Sequence, residues 1–570
     1  MKKQYFAGVL MLVPGFVAAQ SAIDAYRFSQ PDLKGTARFM SMGGAFGALG
    51  GDLSTLSQNP GGIGVYRKQE LGFTIDIDSQ RANAESANSS TDTKQTKFYL
   101  NNIGGVASIN LYNSTFRNFN IGFTYNRAAT FNSRYSGNIP QLRNSLSNYF
   151  AGIANNYNVN TDELASDMNP YAEGYVPWSS ILGYDSYLIY PTGDGDIPTW
   201  VGQWNDQTSG SGYFDVEEKG AVNEYNIALG GNIADIVYWG MDFGINDFSY
   251  TMNTIWQENL EGALIDENFQ NPDVPSDQNL IAGHSQWALG NYYHVSGTGF
   301  NYKLGVIVTP IPELRLGFAF HTPTWYSFKE DFMGSVTSRY GNEQKTTTDY
   351  TNGGVNGYNE YNFRSPWRFI VSAAGVIGGQ FIISADYEWT TFQNMKFSAY
   401  NPGYSDGYYD DGYYDDWGWD SATRASSSGS LGPGAYDPYY YPNNDIKEYY
   451  RTTSMIRVGA EYRVIPQFSI RAGFAYQTSP VKEKLKDNQQ TVYTSGTMPN
   501  YTFDNSTTYV SFGVGYRYKK FYADLAYQYK YRTADYHAYT PDPSSPGISS
   551  PQSKLKMENN NIVLSMGFRF

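Results

Sequence analysis

The sequence contains no cysteine and only four histidines. The lack of cysteine excludes disulfide bonds, thiolate nucleophiles and cysteine-ligated metal sites. No stretch beyond the N-terminus approaches 18 consecutive apolar residues, which excludes ordinary membrane-spanning helices. Basic residues are also in the minority, 40 against 54 acidic residues, and an acidic chain is a poor partner for nucleic acids. We therefore expect no nucleic-acid partner and no cofactor or metal.

Aromatic residues and glycine are abundant. Aromatic side chains make up 17% of the chain, with 52 tyrosines and 33 phenylalanines, and there are 58 glycines. Tyr and Phe favour β-strands, and aromatic rings are typical of the interfacial girdles of outer-membrane barrels. The mean hydropathy of −0.49 suits a soluble protein, but a barrel strand turns only every second residue toward lipid. Composition alone therefore fits both a membrane barrel and a secreted β-sandwich.

The N-terminus has the pattern of a secretory signal. Two lysines precede an apolar run over 6–17, and two alanines then supply a cleavage site. The run falls short of the roughly 20 apolar residues that a spanning helix requires, which argues against an uncleaved anchor. We expect residues 1–19 to be a signal peptide, cleaved after Ala19 or, alternatively, after Gln20.

Period-2 alternation is the decisive pattern, and the last ten residues show it best. Apolar residues occupy every second position there, which places them on one face of a strand. The chain ends in Phe570, and a closing strand with this terminus resembles the sorting signal read by the barrel-assembly machinery. The apolar face consists of Ile562, Leu564, Met566, Phe568 and Phe570, and the opposite face of Asn561, Val563, Ser565, Gly567 and Arg569.

Loop lengths favour a barrel over a sandwich. Short turns at one end of the strands and long loops at the other match the periplasmic and extracellular sides of an outer-membrane barrel. The alternating segments number fourteen, so we predict an all-β fold, a fourteen-stranded antiparallel transmembrane β-barrel over 65–570. The tight turns are Ile311-Pro312, Gly378-Gly379, Ile465-Pro466 and Lys519-Lys520, and the long polar segments include 331–358, 400–446, 481–503 and 538–555.

Two insertions interrupt the strand pattern on the predicted extracellular side. The first, 136–215, contains a predicted helix near Gln141–Asn155. The second, 400–446, contains two consecutive copies of Gly-Tyr-Tyr-Asp-Asp. Its carboxylates could bind calcium and its tyrosines a sugar or protein partner, but the spacing lacks an EF-hand pattern. A solvated acidic loop explains this composition more simply.

The segment over 20–64 precedes the first strand and does not alternate. It is rich in glycine, which permits close backbone approach, and Asn59-Pro60 predicts a turn. The glycines do not form a dinucleotide-binding loop, because no strand leads into them and no βαβ unit follows. A segment of this kind cannot form a domain alone but can fold compactly inside a barrel.

Here the chain resembles the FadL/TodX family of outer-membrane transport proteins. The resemblance rests on the Gly-x-Ala-Arg-x-x-x-Met-Gly-Gly-Ala motif over 35–45 and on Asn-Pro-Gly at 59–61, where family members usually have Asn-Pro-Ala. The blocks Leu316–Trp325 and Ser384–Trp389 are also similar to the family. The resemblance implies a fourteen-stranded barrel with an N-terminal hatch, 20–64, in the lumen. It further implies passive uptake of long-chain fatty acids or other hydrophobic molecules, and some relatives are labelled hemin receptors.

The resemblance also implies a lateral exit in the barrel wall, where a distorted strand meets the turn of the hatch. Asn59, Pro60 and Gly61 are the predicted hatch turn, and alternation fades over Asn126–Thr130, a candidate kink that a plain strand end explains equally well. A fatty-acid carboxylate requires a lumenal cation, and His321 could ligate haem iron. The candidate ligand-binding residues are Arg38, Phe39, Met40, Phe46 and His321.

Charged residues at inward positions of the predicted strands form a second candidate set. A charge next to a lumenal plug must be paired, so we expect these residues to stabilise the barrel and the hatch through ion pairs. The set comprises Arg315, Arg457, Glu461, Arg471, Arg517 and Asp386, with Arg463, Arg569, Glu388 and Asp524 nearby.

No motif of an enzyme is present. The sequence lacks a Gly-x-Ser-x-Gly elbow with a supporting fold and a phosphate-binding loop, so we expect no catalytic activity. The predicted function is passive transport of hydrophobic small molecules across the outer membrane of a Gram-negative bacterium. The alternative is a surface-display, adhesive or haem-binding barrel. The expected partners are the apolar ligand, outer-membrane lipid and the barrel-assembly machinery, and we expect a monomer.

Overall fold

The structure is a computed structural model. It describes residues 20–30, 32–113, 115–164, 169–172, 176–193, 197–266, 280–340, 345–399, 442–486, 492–540 and 549–570. The predicted signal peptide and most of the predicted loop over 400–446 lie outside these residues. In the described part of the chain, no helix is both long and apolar enough to cross a membrane.

Fourteen antiparallel strands form a closed barrel, as the sequence predicts, and the first strand pairs with the last from Glu70↔Arg569 to Glu85↔Lys554. Four of the strands are interrupted and continue after a short break. The strands are β1 Glu70–Ser86, β2 Ser89–Asn110, β3 Phe116–Thr130 with Ser133–Ile139, β4 Ser209–Ile233, β5 Val237–Asp266, β6 Leu280–Ile311, β7 Leu314–His321 with Trp325–Tyr340, β8 Gly357–Arg364 with Arg368–Ile377, β9 Phe381–Thr391 with Lys396–Ala399, β10 Thr452–Ile465, β11 Phe468–Gln477, β12 Tyr501–Tyr518, β13 Phe521–His537 and β14 Gln552–Arg569.

Strand facing follows the alternation of the sequence. On β14, Ile562 and Phe568 are 51% and 54% exposed on the outer surface, whereas Val563 and Ser565 are buried toward the lumen. The barrel also closes at its C-terminus, because Phe570 and Gln69 exchange two main-chain hydrogen bonds of 3.1 and 3.2 Å. The outer face is therefore the apolar, lipid-facing side that the sequence predicts.

The predicted tight turns are confirmed. Residues 312–313, 378–380, 466–467 and 519–520 each join two neighbouring strands at the same end of the barrel. The first and last strands also begin and end there, so this is the periplasmic end, and the long connections lie at the extracellular end.

The first hairpin is longer than the sequence predicts. Alternation favours strands over 65–78 and 96–112, but β1 and β2 continue to a turn at Ala87 and Asn88. Residues 79–95 lie outside the strands that alternation predicts, because polar residues occupy both faces there and leave no apolar periodicity. The main-chain hydrogen bonds between β1 and β2 form there without any apolar alternation.

The extracellular insertion folds into a compact layer over the barrel mouth. Its helices are Leu146–Asn156, Thr161–Leu164 and Trp178–Asp185, and a small hairpin joins Ile189–Thr192 to Thr199–Gly202. The predicted helix near Gln141–Asn155 is thus confirmed with a later start. Ser145 caps its first turn, and the Glu258 carboxylate on β5 accepts hydrogen bonds from the Ser145 hydroxyl at 2.6 Å and the Leu146 N–H at 2.9 Å.

The residues over 20–66, which we call the N-terminal segment, lie inside the barrel. They form helices α1 Ala22–Ser29, α2 Ala37–Ser41 and α3 Thr55–Gln58, followed by a 3-10 helix over Pro60–Val65. Nearly all of these residues are buried. Their surroundings are the inward side chains of the strands, so any site in the lumen is formed jointly by this segment and the wall.

One prediction tests the strand facing. Leu564→Arg should lower the free energy of unfolding by roughly 2–4 kcal/mol, because a lipid-facing arginine near the bilayer midplane must be desolvated. Tyr112→Arg is the control, since Tyr112 lies in a short turn and is 93% exposed. Urea titrations of heat-modifiable gel mobility measure both. Equal stability of the two variants would contradict the assignment of the lipid face.

Candidate functional site: the lumen of the barrel

Short caps and glycine turns explain how the N-terminal segment folds. Thr36 caps α2 by accepting a 3.2 Å hydrogen bond from the Phe39 N–H, and its hydroxyl donates to Asp52 at 2.7 Å. Gly43 and Gly44, which follow α2, have φ values of 61° and 72°. Glycine adopts such values without the steric penalty of a Cβ atom. The two glycines therefore let the chain turn directly after α2, where it contacts the wall.

The N-terminal segment touches the barrel wall where the wall has glycine. A Cβ atom added to Gly43 would lie 2.8 Å from the Phe474 main-chain nitrogen on β11. Conversely, a methyl group added at Gly240 on β5 or Gly305 on β6 would collide with Pro60 or Asn59. These contacts leave no room for side chains at the three glycines, so the N-terminal segment and the wall have complementary surfaces.

The predicted hatch turn packs on β5 and β6. The Asn59 side chain accepts a 3.0 Å hydrogen bond from the Gly61 N–H and donates to the Gly47 carbonyl. A Cβ atom at Gly61 would lie 2.9 Å from the main chain of Gly305 and Val306. This close approach leaves no room for a side chain at position 61.

The wall between β2 and β3 is paired only in its periplasmic half. The ladder runs from Asn110↔Asn118 to Asn102↔Asn126. In the described residues beyond it, β2 pairs only with β1 and β3 only with β4. The register of β3 also shifts between Arg127 and Ala129, inside the predicted kink. We call this unpaired junction the β2–β3 seam.

Side chains close the seam where main-chain hydrogen bonds are missing. The Arg127 guanidinium lies 5.0 Å from the centre of the Tyr99 ring, and the Thr93 and Ser136 hydroxyls are 3.2 Å apart. Such contacts are weaker and more easily exchanged than a β-ladder. The hatch turn on β5 and β6 and the seam lie on different parts of the wall, so the structure does not bring these two predicted exit features together.

Four of the five candidate ligand residues are close to an inner cavity of about 180 Å³. Phe39 and His321 line this cavity together with Phe28, and Met40 and Phe46 pack behind Phe39. The Phe39 and Phe46 rings pack 5.6 Å apart in an apolar cluster that includes Met40. His321 is buried, and its Nε2 atom is 2.7 Å from the Gln58 carbonyl, to which it donates.

Arg38 lies apart from the other candidates. It forms a 2.9 Å ion pair with Glu461 and covers the Phe46 ring at 5.2 Å. It lines a second cavity at the periplasmic end instead of the inner cavity. Among the described residues, no group of three His, Asp or Glu side chains could hold a metal ion.

The predicted lumenal charge network connects the wall to the N-terminal segment. Glu388 pairs with both Arg457 and Arg368, the latter at 2.7 Å. The Asp386 carboxylate accepts hydrogen bonds from the Gly47 N–H at 3.0 Å and the Gln58 side chain at 3.1 Å. Carboxylates of the wall therefore serve as acceptors for donors of the segment that would otherwise be buried without a partner.

Ion pairs also fix the turn between α1 and α2. The Lys34 ammonium lies 2.7 Å from Asp76 on β1, and Lys530 on β13 lies 3.1 Å from Asp32. Burial alone would raise the pKa of the Asp32 carboxyl, but the positive charges of Lys530 and Lys34 outweigh it and hold that pKa below its ordinary value. Asp32 is therefore ionised and anchors the segment electrostatically at neutral pH.

An aromatic cluster in the extracellular half of the lumen was not predicted from the sequence. The Phe28 ring on α1 lies 5.1 Å from Phe248, 5.5 Å from Phe328 and 5.8 Å from Tyr250. The available signal was the run of inward aromatic residues on the outer ends of β5 and β7. We call these four residues and Phe363 the aromatic cluster, which belongs to the large set of buried apolar residues in this half of the barrel.

Comparisons with known proteins agree with this architecture. A family model described as outer membrane protein transport protein (OMPP1/FadL/TodX) matches residues 240–570. A Pseudomonas aeruginosa FadL homologue is 13% identical, with a TM-score of 0.50 over 95% of this chain and 99% of that one. The toluene transporters TodX of P. putida and TbuX of Ralstonia pickettii are 11% and 12% identical, with TM-scores of 0.45 and 0.43 over 95% of this chain and 99% of theirs. No curated protein sequence matches the chain. Because the family model covers more than half of its length, the chain belongs to the OMPP1/FadL/TodX family of outer membrane transport proteins.

Proposed function

We propose that the protein is a passive channel for hydrophobic small molecules and that the N-terminal segment is its hatch. Family membership supports this function. The observation that carries the proposal is the close packing of the segment on wall glycines. A wide aqueous pore does not fit beside such a plug, whereas a small apolar molecule can move by displacing side chains between cavities.

The proposed path begins at the aromatic cluster and passes along α1 into the inner cavity. Phe28 belongs to the cluster and also lines that cavity, so it connects the two. The inner cavity is lined further by Asn126–Ala129 at the β3 kink. The proposed exit is therefore the β2–β3 seam, which lies next to the cavity and lacks a ladder.

The aromatic cluster at the start of the path suits apolar cargo, either long-chain fatty acids or aromatic compounds. The inner cavity combines Phe28 and Phe39 with charged side chains such as Lys303, which suit a polar headgroup. Each methylene group transferred from water to an apolar site contributes about 0.8 kcal/mol, and aromatic rings gain further from ring contacts. We propose that Phe28, Phe39 and His321, which line the inner cavity, contact the cargo. Arg38 is not among the proposed cargo contacts, because it lines the other cavity.

Outward movement of β3 from β2 is the step to test. Thr93→Cys with Ser136→Cys should place two sulfurs across the seam, since the native hydroxyls are 3.2 Å apart. Under oxidising conditions, uptake of labelled oleate or toluene by Gram-negative cells lacking their own fatty-acid channel should fall to the background rate. A reductant should restore it. The chain has no cysteine of its own to interfere.

The matched control is Ala82→Cys with Thr93→Cys, which links β1 and β2 where they already pair. This disulfide should leave uptake unchanged. Equal uptake by the oxidised seam variant and the control would rule out the seam as the exit. If the unmodified protein gives no uptake of either cargo while its extracellular loops bind a sugar or protein, the display function replaces transport.

A further inference from the structure

The cavity at the periplasmic end of the lumen carries a large excess of positive charge. It has a volume of about 590 Å³ and lies between the N-terminal segment and the short turns. Ten Arg and Lys side chains line it against four carboxylates, although the whole chain has 40 basic and 54 acidic residues. We call it the basic chamber, defined by Arg38, Arg315, Arg463, Arg471, Arg517 and Arg569.

The arrangement of these arginines follows from the barrel itself. Five of them occupy inward positions near the periplasmic ends of five strands, and the sixth projects from α2. Each strand thus contributes one guanidinium to a common space. Cations gathered this way repel one another unless anions neutralise them.

The two carboxylates in the middle of the chamber are fully engaged. Glu461 pairs with Arg38 at 2.9 Å and with Arg471 at 2.7 Å. Asp524 pairs with Arg471 at 2.6 Å. These pairs account for two of the six defining arginines.

The other two carboxylates are engaged as well. Glu70 pairs with Arg569 at 2.7 Å and accepts a 2.7 Å hydrogen bond from the Tyr522 hydroxyl. Asp52 accepts hydrogen bonds from the Thr36 hydroxyl at 2.7 Å and the Ser54 N–H at 2.9 Å, and so serves the fold of the N-terminal segment.

Three arginines are left without a carboxylate partner among the described residues. Arg315 donates to the Leu49 carbonyl at 2.8 Å, and its buried Nε atom has no hydrogen-bond partner. Arg463 reaches only the Gly379 carbonyl, at 3.3 Å. The Arg517 side chain takes part in none of the ion pairs or hydrogen bonds found among the described residues. Guanidinium groups are suited to bidentate binding of carboxylate and phosphate.

We propose that the basic chamber binds an oxyanion, the carboxylate or phosphate group of a small ligand, through Arg463 and Arg517, which lie on the same side of the chamber near the periplasmic ends of β10 and β12. Arg315 lines the opposite side and adds to the positive charge. Leu49, Val376 and Ile382 line the same chamber, so it also accepts a short apolar group attached to the anion. The site would hold an anionic ligand at the periplasmic mouth of the lumen, on the far side of the N-terminal segment from the inner cavity. It does not depend on which cargo the channel carries.

Isothermal titration calorimetry tests this site on the purified full-length barrel in neutral detergent. The probes are inorganic phosphate and hexanoate, with hexanol as the neutral analogue of hexanoate. Hexanoate or phosphate should bind saturably, and binding should weaken as salt increases, because the attraction is electrostatic. The double variant Arg463→Gln and Arg517→Gln should weaken it about ten-fold or more, since charge-assisted hydrogen bonds are lost.

The matched control is Arg134→Gln on the extracellular part of β3. The Arg134 side chain is 50% exposed and forms an ion pair with Asp215 on β4. This variant should bind the probes as the unmodified protein does. Binding of phosphate but not hexanoate would identify a free oxyanion as the ligand. Preferential binding of hexanoate would identify the headgroup of an amphipathic molecule as the ligand. The proposal is overturned if neither anion binds, if hexanol binds as well as hexanoate, or if the double variant binds normally while retaining heat-modifiable mobility. None of these outcomes bears on uptake of neutral toluene, so the transport proposal is tested separately.

Discussion

Deleting residues 20–58 is expected to convert the barrel into an open pore for small hydrophilic solutes. These residues contain α1, α2 and α3, which are buried against the inner wall. The wall itself should persist, because β1 and β14 close it through their own ladder. Liposomes that contain the deletion variant should swell rapidly in a small sugar, whereas liposomes with the intact protein should not.

The control for this deletion removes residues 401–440, a segment of similar length that the sequence predicts to be an extracellular loop, and should leave sugar permeability unchanged. Heat-modifiable mobility checks that both variants are folded. A folded deletion variant that admits no more sugar than the intact barrel would mean that the N-terminal segment does not plug the lumen.

Gly305→Val is expected to displace the hatch without removing it. A side chain at this position would collide with Asn59, and overpacking of this kind typically costs about 1–3 kcal/mol. The strand itself tolerates valine, so the cost should fall on the docking of the hatch turn. Sugar permeability should rise toward that of the deletion variant, and a protease should cleave the N-terminal segment more readily.

Gly375→Val provides the comparison. A Cβ atom there would make only an ordinary 3.5 Å contact with Ile383, so permeability and protease resistance should stay unchanged. If Gly305→Val behaves like Gly375→Val in both measurements, the glycine contacts do not hold the hatch in place.

The barrel could be predicted from the sequence because its signal is local. Alternation on β14 identifies the lipid face, and short turns such as Lys519-Lys520 identify the periplasmic end. The outer parts of β1 and β2 were not predicted, because their residues are polar on both faces. Only the main-chain pairing of the two strands shows that they are β-strand.

The lumen was less predictable because its contacts join residues far apart in sequence. Alternation correctly places Arg471 and Asp386 inward, but it does not tell which arginines find a carboxylate. Arg38 pairs with Glu461, more than 400 positions away, while Arg517 finds no such partner in the described structure. The aromatic cluster was missed for the same reason, since Phe28 meets Phe248 and Phe328 only after the barrel closes.

The selectivity of the intact protein is the most direct measure of a plugged channel for apolar molecules. In cells that lack their own fatty-acid channel, the intact protein should raise uptake of labelled oleate or toluene and leave sugar entry unchanged. The variant lacking residues 20–58 should admit sugar. Rapid sugar entry through the intact barrel, or no gain in uptake of any apolar cargo despite normal surface abundance, would contradict hatch-gated hydrophobic transport.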